Sequence, residues 1–360
     1  MGRILTTASI FALGTGLGAG SAFAGGTERA GAFTSILFEE GTYVELGYGY
    51  ASPDVSGTAF GRASGDMAPG YGTYSFGYKQ ALSENLDFAI VLDEPIGADV
   101  DYPTGSGYAL AGTSAKLRSD AITALLRYEF PSHISVFGGI RSQASKGDVT
   151  IIAPGLGIPF YNLSTNTDRE WGYILGAAWE KPEIAARVSL TYTSAITHTL
   201  TSTENGTPTG SFETEVPQSL DLAFQTGIAP DTLLFGSVRW AEWSAFDISP
   251  AAYLGLVGSP LVSYQSDRVT FNIGLGRRFN ETWSGAVTAS HEASNGDITG
   301  NLGPTDGFTS LGLGVTYTKD NFKITGGVRY IKIGDATTRI TARFTDNDAV
   351  AAGIKLGYSF

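Results

Sequence analysis

The chain has 360 residues, a formal charge of −12 and no cysteine. That excludes a disulfide framework and thiolate chemistry, and the acidic balance argues against nucleic acid as a partner. There are 48 Gly, 17 Tyr and 20 Phe, yet the mean hydropathy is close to zero. A helical membrane protein would be far more hydrophobic, whereas a barrel strand needs only one apolar face.

Residues 1–24 read as a secretory signal peptide. Arg3 supplies the positive start, residues 4–17 the apolar core, and Ala22-Phe23-Ala24 the small-x-small cleavage pattern. The mature chain is expected to begin at Gly25 and to be exported. No later stretch approaches the ~18 apolar residues of a spanning helix.

From residue 43 onward, apolar residues alternate with small or polar ones, the two-residue period of a strand with one greasy face. Val44, Leu46, Tyr48 and Tyr50 begin the series, and Tyr74, Phe76 and Tyr78 follow. The pattern recurs near 86–92, 122–130, 134–140, 171–179, 184–192, 220–224, 234–240, 269–275, 283–289, 311–317 and 322–330. It closes with Val350, Ala352, Ile354, Leu356, Tyr358 and Phe360. Connections alternate in length. Short turns fall near 82–85, 131–132, 181–182, 229–231, 280–281 and 319–321, and long stretches lie between them. A soluble sandwich has no reason to alternate so regularly, whereas short turns on one side and long loops on the other are the pattern of outer-membrane barrels. The expected fold is all-β: a transmembrane antiparallel β-barrel of about 14 strands over residues 43–360. Aromatic residues near the strand ends fit interfacial girdles. Residues 25–42, with Phe33, Ile36, Leu37 and Phe38, are expected to form a short plug. The aromatic carboxyl terminus resembles the closing strand of bacterial outer-membrane barrels, where such an ending is the sorting and insertion signal.

With apolar faces toward lipid, the lumen carries Glu45, Asp87, Arg127, Glu129, Asp221, Arg239, Arg278, Lys323, Arg329 and Lys355. Both signs occur, so ion pairs are expected across the interior. Arg127 and Arg239 are candidates to meet a substrate carboxylate. The long connections are oddly apolar for loops in water. One carries Ile152, Leu156, Ile158 and Phe160, and another Phe246, Ile248, Tyr253, Leu256 and Val257. Apolar surface of that extent marks a binding groove or a set of loops packed as a lid.

Pro53-Asp54-Val55-Ser56-Gly57-Thr58 and, more specifically, the run over residues 217–244 that includes Val238-Arg239-Trp240-Ala241-Glu242-Trp243-Ser244 resemble stretches of the FadL-type outer-membrane transporters of long-chain fatty acids and toluene. The resemblance covers nearly the whole chain after residue 24. It implies a fourteen-stranded barrel with an amino-terminal hatch and passive, ligand-gated diffusion. A kink in the third strand would open a lateral path into the membrane. In this chain the third strand is expected over 86–92, with Asp93-Glu94-Pro95 ending it, since proline cannot donate a ladder hydrogen bond. The departure is the hatch, which is far shorter than the family's and lacks its Asn-Pro-Ala signature.

The function expected is passive uptake of hydrophobic small molecules, fatty acids or hydrocarbons, by a monomer in contact with outer-membrane lipid. The alternatives are a general polar-solute porin and a structural or adhesin barrel. The scattered His133, His198 and His291 make neither a metal site nor a Ser/His/acid set defensible from spacing, so no enzyme, no metal and no cofactor is expected.

Overall fold

The computed structural model describes residues 27–29 and 33–360, so the expected signal peptide and most of residues 25–32 lie outside the described residues. Fourteen antiparallel strands form a closed barrel. They are β1 (Tyr43–Asp54), β2 (Tyr71–Ala81), β3 (Leu86–Asp93), β4 (Ser114–Glu129), β5 (Ile134–Ala153), β6 (Asp168–Lys181) and β7 (Ala186–Thr193). The second half is β8 (Ser219–Ala229), β9 (Thr232–Ala241), β10 (Arg268–Arg278), β11 (Trp283–Glu292), β12 (Phe308–Lys319), β13 (Phe322–Ile333) and β14 (Asp348–Ser359). The barrel closes where β1 pairs with β14, from Tyr43↔Ser359 to Asp54↔Asp348.

Alternation decides which way each side chain points. On β12, Leu311, Leu313 and Val315 are exposed while Ser310 and Thr316 are buried. On β6, Trp171 is 63% exposed and Ile174 wholly buried. A soluble protein would not leave such a continuous apolar belt in water; hydrocarbon is the solvent that fits it. The aromatic pairs Trp283–Tyr317 and Phe322–Tyr358 sit near the short-turn end, 5.0 and 4.8 Å between ring centres.

Three features depart from simple loops on a barrel. First, β4 and β5 run well past the belt. Two further strands, Ile158–Thr165 and Ile196–Glu204, extend the same sheet, and Thr207–Val216 completes a hairpin with the latter. Much of the expected loop sequence is therefore a sheeted wall. Second, a 3-10 turn, Phe33–Phe38, lies inside the barrel near the short-turn end. Ile36 and Leu37 are enclosed there by Tyr43, Val91, Leu125, Phe137 and Ile174. Third, β3 parts from β2. Their pairing stops at Phe76↔Leu92, and the chain resumes as Gly97–Asp101, which pairs with β4 instead. Pro95 stands in the break. Ser119 Oγ holds the displaced segment by donating to Ile96 O (2.6 Å) and accepting from Ile96 N (2.9 Å).

Candidate functional site: an apolar cavity beside the broken strand

The amino-terminal residues 27–29 lie along that break. Arg29 N–H donates to Pro95 O and Gly97 N–H to Thr27 O, both at 2.9 Å, and Glu28 bridges to Ile96. Their side chains are tied down as well. Arg29 pairs with Asp99 at 2.6 Å and lies over the Tyr71 ring, and Glu28 pairs with Arg239 at 2.6 Å. The segment thus acts as a short surrogate strand where β2 and β3 have separated.

Above it opens a cavity of about 970 Å³, counting the part of its mouth open to solvent. Several pieces of the chain wall it, among them the following four. The displaced segment gives Ile96, Ala98 and Val100, and β4 gives Ala115 and Leu117. The hairpin gives Leu200, Phe212 and Val216. The connection after β9 gives Phe246, Ile248, Leu261, Val262 and Tyr264. Trp243, Phe246 and Tyr264 stack in a cluster with ring centres 5.3 to 5.8 Å apart, which fixes that side of the wall. A second cavity, about 620 Å³ with its solvent-open mouth counted likewise, lies on the other side of Val100, lined by Val55, Met67, Pro69 and Ile333.

The wall is mostly apolar, and one chain of hydrogen bonds runs into it. His198 Nε2 lies 3.2 Å from Ser145 Oγ, and His198 Nδ1 lies 3.1 Å from Asp168 Oδ2. Asp168 Oδ2 also accepts from Thr199 N–H at 3.1 Å. Hydroxyl, imidazole and carboxylate are connected as in hydrolase triads. Connection alone does not make a nucleophile, which also needs donors placed for an oxyanion.

His198 belongs to the outer hairpin, beyond the membrane-spanning strands. Burial pushes its pKa below the ordinary value, against the opposing pull of Asp168 and, more weakly, Glu170. The unfolded chain titrates near ~6.5, so the stabilisation from a neutral His198 is full above that pH and is lost as pH falls below it. The protection of the amides of residues 196–204, taken relative to the intrinsic exchange rate at each pH, is therefore expected to fall between pH 7.5 and pH 5. His198→Gln should flatten that dependence; an unchanged dependence would assign it to other groups.

The residues proposed from sequence are spread over several places. Phe246 and Ile248 line the large cavity. Ile158 and Tyr253 are buried in the cap above the barrel, where Tyr253 packs on Tyr161 at 5.0 Å. Leu156, Phe160, Leu256 and Val257 are exposed, and Ile152 is half-buried. Arg127 sits at the short-turn end, bonded to Asp87, Glu129 and Glu180 and stacked over Phe38. Arg239 is taken by Asp221 and Glu28. Neither arginine lines the large cavity. Sequence reasoning missed Ser145, His198, Leu200 and Thr214. The signal was present in Asn205-Gly206, a two-residue turn between alternating runs; both residues have positive φ, 50° and 77°.

No protein-family model and no curated protein matches the chain. Solved structures do. A FadL homologue from Pseudomonas aeruginosa superposes with a TM-score of 0.74 at 12% identity, covering 91% of this chain and 92% of its own. The Pseudomonas putida toluene transporter TodX gives 0.66 at 13%, covering 89% and 91%. The Ralstonia pickettii toluene transporter TbuX gives 0.60 at 16%, covering 90% of each. With closure at fourteen strands, the broken third strand and these superpositions, the chain has the fold of the FadL-type channels.

Proposed function

We propose that this protein is an outer-membrane channel for passive uptake of hydrophobic small molecules, working as a monomer. The observation that carries the reading is the apolar cavity, set against the gap where β3 leaves β2. A molecule held there has apolar walls behind it and a lateral way toward lipid beside it. The exposed Leu156, Phe160, Leu256 and Val257, with Ile152, Ile158 and Tyr253 beneath them, form the outer groove that first collects ligand. Phe246 and Ile248 hold it deeper. Residues 25–42 form the plug, with Phe33, Ile36, Leu37 and Phe38 sealing the lumen below. Arg127 and Arg239, already paired, steady plug and amino terminus rather than meet substrate. The likeness to two toluene transporters supports hydrocarbons among the ligands. A polar-solute porin fits poorly, because its constriction would be charged and this cavity is greasy.

Uptake of radiolabelled toluene and of a long-chain fatty acid into cells, beside a sugar, tests the reading. Passage of the sugar alone would overturn it. Gly147 offers a sharper test. It lines the cavity, and a Cβ there would meet only Lys116 O, at 3.7 Å. Gly147→Phe is expected to fill the cavity and bring uptake to background in a folded barrel, while Gly147→Ala leaves uptake within about twofold, as expected of a methyl group in ordinary van der Waals contact.

A further inference from the structure

The hairpin facing the cavity carries alternating side chains on its inner face, and their register matters. Ile196 pairs with Val216, His198 with Thr214, and Leu200 with Phe212. Directly opposed residues in an antiparallel pair have Cβ atoms about 5 Å apart. His198 and Thr214 are therefore neighbours, both lining the cavity.

The protons can be assigned from the geometry. Asp168 only accepts, so His198 Nδ1 carries the proton, and in the neutral ring Nε2 accepts from Ser145 Oγ–H. The Ser145 hydrogen is thereby committed, and its oxygen keeps lone pairs for another donor. Thr214 is 6% exposed, and its Oγ1 is fully enclosed with no hydrogen-bond partner. A buried hydroxyl without a partner is costly, and a ligand that bonds it removes that cost. The cavity wall thus carries an acceptor bonded to His198 and, across the ladder from His198, an unanswered hydroxyl.

The charges narrow the choice further. Among the described residues, Lys116 is the one lysine or arginine that lines the cavity. By alternation it shares a face of β4 with Asp120, Ile122 and Leu126, and the exposed Ile122 and Leu126 mark that face as the outer one. The charged group behind His198 is Asp168. Among the described residues, a carboxylate ligand would find no lysine or arginine side chain turned into this wall, and an anion, Asp168, behind it.

We propose that the cavity selects neutral apolar molecules carrying one hydroxyl, aromatic or aliphatic alcohols, whose O–H donates to Ser145 Oγ and whose oxygen accepts from Thr214 Oγ1. This deepens the channel reading and rests on it. Three ligands on one methylphenyl frame test it: p-cresol, toluene and p-toluate, titrated by calorimetry into the detergent-solubilised protein. The isosteric Thr214→Val and the smaller Ser145→Ala are each expected to weaken p-cresol about fivefold, the size of one hydrogen bond, and to leave toluene unchanged. Unchanged toluene affinity also reports that each variant is folded. p-Toluate is expected to bind more weakly than p-cresol. If the variants affect p-cresol and toluene alike, or if p-toluate binds more tightly than p-cresol, the selection is overturned while the channel stands. If neither p-cresol nor toluene binds the unaltered protein, both readings fall.

Discussion

Replacing Ile36 and Leu37 together by aspartate is expected to make the barrel conduct ions freely. These two side chains, 1% and 0% exposed, cross the lumen beside Leu125, Phe137 and Ile174. Cations flank the turn and fix it from both ends. Arg187 lies 4.2 Å and Arg127 4.9 Å from the Phe38 ring centre, and Arg141 lies 4.6 Å from that of Phe33. Such stacks are each worth about 0.5–2 kcal/mol. Burying an unpaired carboxylate in the apolar enclosure costs several kcal/mol, enough to expel the turn. What remains around the emptied space is Lys79, Asp87, Arg127, Glu180 and Arg187, a wettable ring. Planar-bilayer recordings should show a silent native protein and open steps from the variant. A silent variant that is still folded would show that the turn is not the seal.

The second large effect is expected at Asp93, the last residue of β3 before it breaks away. Arg141 Nη2 reaches both Asp93 oxygens, at 2.9 and 3.0 Å, and Nη1 reaches Thr123 Oγ1 at 2.9 Å. Both partners are almost wholly enclosed. Asp93→Ala strands a guanidinium in the lumen and should cost about 3–5 kcal/mol. Removing the cation as well, in Asp93→Ala/Arg141→Met, should recover a good part of the loss, because the uncompensated charge is gone. Urea unfolding in detergent measures both. A single variant within about 0.5 kcal/mol of the native protein would refute the pairing as a structural element.

The fourteen strands were legible because lipid imposes a strict rule on their outer faces. Leu311, Leu313, Val315 and Tyr317 cannot be displaced by one residue without turning the belt inward. The end of β3 was legible for a similarly local reason, the absent N–H of Pro95. The cavity wall was not. The outer hairpin is rich in threonine, serine and glutamate, and its polar outer face masks the alternation of Ile196, His198 and Leu200. Ser145 and Asp168 each fall in stretches that read as loop, yet they stand opposite one another on paired strands. Their meeting with His198 depends on register between distant segments, and composition carries no trace of it. The arginines misled for a related reason. Strand parity shows that Arg127 and Arg239 point inward, but not which carboxylates already hold them.

The uneven pairing around the wall also has a mechanical consequence. Where the chain's two ends meet, the ladder runs the full length of β1 and β14; between β2 and β3 it reaches only from Phe76↔Leu92 to Ala81↔Asp87, half as far. A load that stretches the barrel around its circumference would therefore concentrate at this short ladder. The tear would start there, two strands away from the terminal closure, whose full-length ladder would hold longer.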